Sequence, residues 1–318
     1  MLEGTMAVFN GDGSDDTFRG TPGPDTFNGR GGDDHLFGEG GNDRINGDEG
    51  EDELVDGPGV DTLRGGLGND ALDGVTGESE FLYGERGDDA LRFATWREAD
   101  TSETKVTSNS IIDGGPGFDT LDILAPTGPM IVVVQDRGIY ANFDVPIDFP
   151  EPTPPSGLTK IAALKNVESF DIGIDESVYF FASDRGATVR ATGEDTNFFQ
   201  GARGDDTFFG TSEDNNFFAG GGGFNRFYSQ EELSRDRYYV TGQSLIGEHV
   251  VEDFNEDPET NGFDKGQDAI VFDESLEGRL AIEDEDGHTT FSWNLSGRAG
   301  SITVDNVDLA AGSDYLFA

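Results

Sequence analysis

From Gly11 onward an apolar side chain recurs every nine residues, at Phe18, Phe27, Leu36, Ile45, Leu54, Leu63 and Leu72. Two places before each stands an acid, at Asp16, Asp25, Asp34, Asp43, Asp52, Asp61 and Asp70. The glycines between them complete the units GDGSDDTFR, GTPGPDTFN, GRGGDDHLF, GEGGNDRIN, GDEGEDELV, DGPGVDTLR and GGLGNDALD, then GVTGESEFL and, after one extra residue at Tyr83, GERGDDALR. Glycine tolerates the positive φ that a tight turn needs, and the x-apolar-x triplet alternates as a strand does, with its apolar member inward. One turn and one short strand per nine residues predicts a flattened parallel solenoid, two units per coil, in which each coil covers the apolar edge of the next.

The rest of the chain keeps strand character while the repeat comes and goes. A single further unit, GGPGFDTLD, holds Asp119, and β-branched runs such as IVVVQ follow, with a proline cluster at Pro150 to Pro155 as an excursion. A second, eroded array reads TGEDTNFFQ, GARGDDTFF, GTSEDNNFF and, after Ala219, GGGGFNRFY. Its sixth places hold Asn197, Asp206, Asn215 and Asn225, and its inward places Phe199, Phe208, Phe217 and Phe227, so it is expected to rely on apolar packing more than on metal. Ser229 and Glu232 have capping-box spacing and predict a short helix over Ser229–Asp236, after which strands and turns run to Ala318 as a cap. The expected organisation is a tail at 1–10, a first array at 11–92, a divergent solenoid segment at 93–191, the second array at 192–228 and the cap at 229–318.

Charge sharpens this picture. The 318 residues carry 65 acids against 20 Lys and Arg, a formal charge of −45. A compact chain with that excess needs a neutralising cation, and the same excess argues against nucleic acid, anionic membrane surfaces and polyphosphate ligands. With no cysteine, disulfides, zinc-thiolate sites and cysteine nucleophiles are excluded. Met1 to Asn10 has neither a basic region nor an apolar run of signal length, and no stretch is long enough to span a bilayer.

Stacked coils place the aspartates of units i and i+2 about 5 Å apart. Bare carboxylates there repel, and calcium, which takes six to eight oxygens, suits carboxylates combined with the carbonyls of glycine turns. The units resemble the RTX, or haemolysin-type, nonapeptide G-G-x-G-x-D-x-U-x, whose parallel β-roll binds calcium. That resemblance implies an all-β, elongated parallel β-roll with two such arrays and a β-rich C-terminal cap. It also implies that one turn supplies the carbonyls of its second and fourth places with its aspartate, and the turn two units on supplies those of its first and third places with its own aspartate. One site then comprises Thr21, Gly23 and Asp25 below, with Gly38, Gly40 and Asp43 above. Asp16 faces Gly29, Gly31 and Asp34; Arg30, Gly32 and Asp34 face Gly47, Glu49 and Asp52. Glu39, Gly41 and Asp43 face Asp56, Pro58 and Asp61; Asp48, Gly50 and Asp52 face Gly65, Leu67 and Asp70. Asp89, Asp119 and Asp206 are further sixth-place ligand candidates. Because Ser79 stands at a sixth place and Tyr83 is extra, sites that use Asp61 or Asp70 from below are expected to be weaker.

The phrases VVEDFNEDPETNGFDKGQDAIVFDES and SITVDNVDLAAGSDYLFA are similar to the C-terminal flank of RTX proteins exported by type I secretion, which implies an extracellular or cell-surface destination without a cleaved leader. Asp253, Asp257, Asp264 and Asp268 read as an acidic surface loop, with a further calcium site as the alternative, and His35, His249 and His288 as surface residues. No Gly-x-Ser-x-Gly elbow, His-Glu-x-x-His helix or phosphate-binding glycine loop occurs. The leading expectation is a calcium-binding structural or interaction protein that folds on several calcium ions outside the cell, with extracellular polysaccharide or cell-surface components as partners. One alternative is a polysaccharide lyase or epimerase using Tyr140, Asp144, Asp148 and Lys160; another is a surface-layer or adhesin component.

Overall fold

A computed structural model describes residues 6–74, 80–94, 109–125, 131–135, 138–142, 159–174, 178–182, 184–191, 197–210, 215–218, 222–228, 236–240, 247–252, 268–285, 287–295, 297–304 and 315–317. The chain divides into two units, one formed by Met1–Met130, Asp136–Val145 and Gly157–Ile174, the other by Ile131–Gln135, Pro146–Ser156 and Asp175–Ala318. Each unit is built of two sheets that the chain visits alternately, except within residues 138–165 and 281–304, where successive strands share a sheet.

In the first unit the strands are β1 (Val8–Asn10), β2 (Thr17–Arg19), β3 (Thr26–Gly31), β4 (His35–Phe37), β5 (Arg44–Glu49), β6 (Glu53–Val55), β7 (Thr62–Leu67), β8 (Ala71–Gly74), β9 (Phe81–Arg86), β10 (Ala90–Ala94), β11 (Ser110–Asp113) and β12 (Thr120–Ala125). The strand β13 (Ile131–Gln135) belongs to the second unit, whereas β14 (Gly138–Asn142), β15 (Thr159–Lys165) and β16 (Ser169–Ile174) complete the first. One sheet runs β1-β3-β5-β7-β9-β11-β15-β14 and the other β2-β4-β6-β8-β10-β12-β16. All these pairings are parallel except β14 on β15, which is antiparallel with a bulge at Ile139/Tyr140.

The nine-residue period sets the register. Phe27 lies beside Ile45 and Ile45 beside Leu63, while Leu36 lies beside Leu54 and Leu54 beside Leu72, so the inward places of alternate units stack into two apolar columns. These side chains are completely buried or nearly so. Burying one such side chain contributes roughly 1.5–3 kcal/mol.

At the eighth unit the structure corrects the sequence reading. Leu82 pairs with Leu63 and Tyr83 with Arg64, so Tyr83 keeps the ninth-place register and is not the extra residue. Glu80, not Ser79, takes the sixth place, because the N–H of Phe81 donates to the Asp61 carbonyl at 3.1 Å as strand-opening residues do after every other sixth place. The additional residue therefore precedes Glu80, and Leu82 stays in the core, whereas an insertion within the strand would flip every later side chain to the opposite face.

The turns need the left-handed region at their second place. Arg30, Glu39, Asp48 and Glu85 sit there at φ of 80°, 73°, 78° and 75°, while Gly57, Gly66 and Gly115 occupy the same place at 111°, 128° and 111°. A side chain in this region costs about 1–2 kcal/mol.

The second unit repeats the plan with β17 (Val178–Phe181), β18 (Thr188–Ala191), β19 (Asn197–Gln200), β20 (Thr207–Phe209), β21 (Asn215–Phe218), β22 (Phe224–Tyr228), β23 (Arg237–Val240), β24 (Gly247–Glu252), β25 (Ala269–Phe272), β26 (Ala281–Glu285), β27 (His288–Leu295), β28 (Arg298–Val304) and β29 (Tyr315–Phe317). Its sheets run β13-β17-β19-β21-β23-β25-β29 and β18-β20-β22-β24-β28-β27-β26. The columns here are aromatic: Phe199 stacks on Phe217 at 5.2 Å, Phe217 on Tyr238 at 5.1 Å and Phe208 on Phe227 at 5.7 Å between ring centroids. The last three strands of the second sheet form antiparallel hairpins, with Gly287 and Gly297 at φ of 83° and 90° in the two connections. The expected helix at Ser229–Asp236 lies outside the described residues except at its end, where Asp236 precedes β23 in non-helical conformation.

Replacing Asp48 by glycine is expected to raise the calcium-loaded stability of the first unit by about 1 kcal/mol more than replacing it by alanine, since both changes remove the charge and only glycine relieves the left-handed backbone. Denaturant midpoints of the two variants check this, and equal midpoints contradict it.

Candidate metal centre

Each sixth-place acid stands one residue before a strand, and its side chain reaches back to the N–H of its counterpart in the preceding coil. Before the even strands, the N–H of Asp16 donates to Oδ1 of Asp34 at 2.7 Å, Asp34 to Asp52 at 2.8 Å, and Asp52 to Asp70, Asp70 to Asp89 and Asp89 to Asp119 at 2.9 Å each. The N–H of Asp119 donates to Oε2 of Glu168 at 3.1 Å. Before the odd strands, Ala7 donates to Asp25 at 2.6 Å, Asp25 to Asp43 at 2.7 Å and Asp43 to Asp61 at 2.6 Å, and farther along Glu80 donates to Oγ of Ser110 at 3.0 Å. The unit thus contains two ladders of carboxylates, each buried from its second acid onward except at Glu168.

First-place glycine makes this possible. A Cβ on Gly29, Gly47 or Gly65 would collide with Oδ2 of Asp34, Asp52 or Asp70 respectively, the sixth-place acid of its own unit. The carboxylate therefore folds back over a bare Cα, with Oδ1 committed to the ladder. Oδ2 of Asp34, Asp43, Asp52, Asp70, Asp89 and Asp119 is buried and accepts no hydrogen bond from any described residue. A buried anionic oxygen left in that state costs several kcal/mol.

The acids respond as buried acids do. Loss of water is the largest cause in each case, opposed by the backbone hydrogen bonds and reinforced by neighbouring carboxylates. Asp34 and Asp89 rise above the usual carboxylate range, Asp43, Asp52 and Asp119 reach about 6, and Asp70 about 7. A hard divalent cation fits these residues: the ligand atoms are all oxygens, they are anionic, and one oxygen of each named acid faces no donor among the described residues.

The turn residues named from sequence also come together. Arg30 lies in register with Asp48 and Gly31 with Glu49, then Asp48 with Gly66 and Glu49 with Leu67. Gly32, Gly41, Gly50 and Gly59 hold the fourth place at positive φ. The candidate carbonyls of Thr21, Pro58 and Leu67 already accept backbone hydrogen bonds, from Gly40 at 3.4 Å, Gly41 at 2.9 Å and Gly50 at 2.9 Å, and each keeps a second lone pair. Asp25 differs from the later acids, because its Oδ2 accepts the N–H of Thr21 at 2.6 Å; Asp16 does the same with Asp12 at 3.0 Å and is only half-buried. Gly23, Gly38, Gly40 and Glu39 flank these turns in their expected places, with Gly38 under the Asp43 carboxylate.

Several ladder members escaped the sequence reading. Asp56, named for its carbonyl, is buried with its side chain, and Asp56, Asp61 and Glu80 each offer a carboxylate oxygen within 4.8 Å of the others. In the second unit, Val178 donates to Asn197 Oδ1 at 3.1 Å, Asn215 to Asp236 at 2.7 Å and Asp236 to Asp268 at 2.9 Å. Ala187 donates to Asp206 at 2.9 Å and Asp206 to Asn225 at 3.0 Å. Burial pushes Asp206 up to about 7. Neither Asp268 nor His249 is the surface residue expected: both are buried, and His249 sits beside Asn225 in the same ladder, two places before inward Val251. The signal that finds Glu80, Asp236, His249 and Asp268 is the two-residue spacing to an inward side chain, at Leu82, Tyr238, Val251 and Ile270, without the glycines. His35 is outward, as expected, and pairs with Glu53 at 2.6 Å, while His288 is half-buried in β27. Lys160 and Tyr140 are register partners on β15 and β14, with Nζ 5.9 Å from the ring centre; Asp144, Asp148, Asp253, Asp257 and Asp264 lie outside the described residues.

Comparison with known proteins agrees with this geometry. The RTX calcium-binding nonapeptide repeat, a model of four copies, matches residues 10–45, 46–79 and 192–228. The chain therefore carries RTX repeats, which bind calcium, on a parallel β-roll. Among solved structures, it is similar to the extracellular lipase LipA from Serratia marcescens at 15% identity and a TM-score of 0.18, covering 81% of this chain and 40% of that one. No curated protein matches the sequence. Among the described residues no helix is long and apolar enough to cross a membrane.

A folded-state pKa of about 6 against an ordinary 3.8 means that the metal-free fold holds more protons than the unfolded chain between those values. Metal-free stability of the first unit is therefore expected to fall as pH rises from about 4 to about 7, and calcium affinity to rise over the same window. Denaturation midpoints in chelator across that range check the sign; a metal-free stability that climbs toward neutral pH contradicts it. Gly47→Ala, which drives a methyl into the Asp52 carboxylate and the Gly65 carbonyl, is expected to abolish calcium-induced compaction of the first unit, read by hydrodynamic radius.

Proposed function

We propose that this chain is a secreted β-roll whose first array closes on several calcium ions outside the cell, and that it acts there as a non-catalytic structural or interaction protein. The observation that carries the reading is the set of buried carboxylates Asp34, Asp43, Asp52, Asp70, Asp89 and Asp119, each with one oxygen facing no described donor, in repeats of a calcium-binding family. In a compartment poor in calcium these acids repel and keep the array open; where calcium is plentiful, binding free energy becomes folding free energy. Ladder acids such as Asp34 and Asp43 face both the coil before and the coil after, so the sites share ligands and load cooperatively. The acidic outer surface suits partners with neutral or calcium-bridged chemistry, such as extracellular polysaccharide or cell-surface components, and export by the type I route fits the C-terminal phrases.

The pairing of Tyr140 with Lys160 favours a second reading, a lyase or epimerase acting on an acidic polysaccharide, in which the phenol and the amine handle the proton. Unsaturated products from a uronate polymer, lost in Tyr140→Phe, would replace the first reading with this one.

Far-ultraviolet circular dichroism during a calcium titration is expected to show a cooperative gain of β signal near 10⁻⁴ to 10⁻³ M, roughly the affinity of extracellular modules, with magnesium inactive and Asp43→Ala shallower. An unchanged spectrum, or an equal response to magnesium, contradicts the proposal.

A further inference from the structure

The two units meet the same requirement, a polar ladder inside a stack of coils, with different chemistry. In the first, every ladder contact named above links two acidic residues, apart from Ala7 with Asp25 and Glu80 with Ser110. In the second, amides and an imidazole are interposed. Nδ2 of Asn197 donates to Oδ1 of Asn215 at 3.3 Å, Nδ2 of Asn215 donates to Oδ1 of Asp236 at 3.0 Å, and Nδ2 of Asn225 lies 3.2 Å from Nδ1 of His249. Nδ1 accepts there when the ring carries its proton on Nε2.

An amide nitrogen supplies what the first unit lacks, a donor pointing along the ladder toward the next oxygen. Asp206, between Ala187 and Asn225, has both oxygens engaged, Oδ1 by the N–H of Ala187 and Oδ2 by that of Ala202, each at 2.9 Å. Among the described residues of this unit only Asp236 and Asp268 are adjacent ladder carboxylates. The aromatic columns add burial: Phe199, Phe208, Phe217, Phe227 and Tyr238 are all but fully buried where the first unit has mostly Leu and Ile.

We infer that the second unit folds without calcium, its side-chain amides standing where the first unit requires a cation, so that calcium controls only part of one chain. The protein is then a permanently folded half carrying a calcium-gated half. The inference rests on the calcium reading above for the first unit, while its claim about the second unit is tested separately.

Hydrogen exchange on the full chain, followed by mass spectrometry in chelator and in about 5 mM calcium, reads both units at once. Peptides covering 197–210, 222–228 and 237–240 are expected to be protected in chelator and to change less than about twofold with calcium, while peptides covering 26–74 gain about a hundredfold or more. Second-unit peptides that exchange freely in chelator, whether or not calcium rescues them, overturn the inference. First-unit peptides indifferent to calcium overturn the calcium reading and leave the second-unit claim standing. Asn215→Asp places a carboxylate against Asp236 and is expected to lower second-unit protection in chelator by about tenfold or more, with recovery as pH falls toward 5; wild-type protection in this variant shows that the amide does not replace the cation.

Discussion

A parallel stack of short coils forces identical places in the sequence to lie one strand spacing apart, and everything distinctive in this molecule follows from putting an acid at one of those places. The acid is useful locally, because its Oδ1 takes the N–H that each turn presents as it re-enters the sheet. Repeated coil after coil, the same choice builds a buried line of negative charge. Apolar columns such as Phe27, Ile45 and Leu63 hold the coils together but cannot neutralise that line. The first unit therefore has a fold that apolar packing favours and electrostatics opposes, and an oxygen-binding cation reconciles the two.

The turn geometry serves the same end. First-place glycine lets the carboxylate lie over a bare Cα, and second-place residues adopt the left-handed region even when they are Arg30, Glu39 or Asp48. Side chains tolerated at a backbone cost indicate that the path of the turn matters more than local comfort, as it does where carbonyls must converge on a ligand. Where amides replace acids, at Asn197, Asn215 and Asn225, the ladder closes on its own hydrogen bonds and larger rings fill the interior.

Most of the first array was legible in the sequence because its period, its inward residue and its acid are one strict pattern. The failures share a cause. Counting nines puts Ser79 at the sixth place and makes Tyr83 extra, whereas the fold counts from the inward residue backward, so Leu82 fixes Glu80 as the ladder acid. Asp236, His249 and Asp268 were invisible to a search for glycine turns, since the chain there keeps only the acid-or-polar, x, apolar triplet that the sheet needs. The antiparallel strands β14, β26 and β27 carry no mark of direction in their alternation, which parallel and antiparallel strands share. The Asp56, Asp61 and Glu80 cluster needed three dimensions, because Glu80 joins the two acids of one unit from the coil that follows.

The central claim is that charge on the buried ladder, and nothing else in the first unit, creates the need for calcium. It is tested most directly by replacing Asp34, Asp43, Asp52 and Asp70 together with asparagine and recording the far-ultraviolet circular dichroism of the full chain in chelator at neutral pH. The account predicts that this variant shows, without calcium, the full β signal that the natural sequence reaches only with it, and that added calcium changes it little. A variant that in chelator gains no β signal over the natural sequence and still gains it on calcium would contradict the account, placing the metal requirement in the turn carbonyls and not in the aspartate ladder.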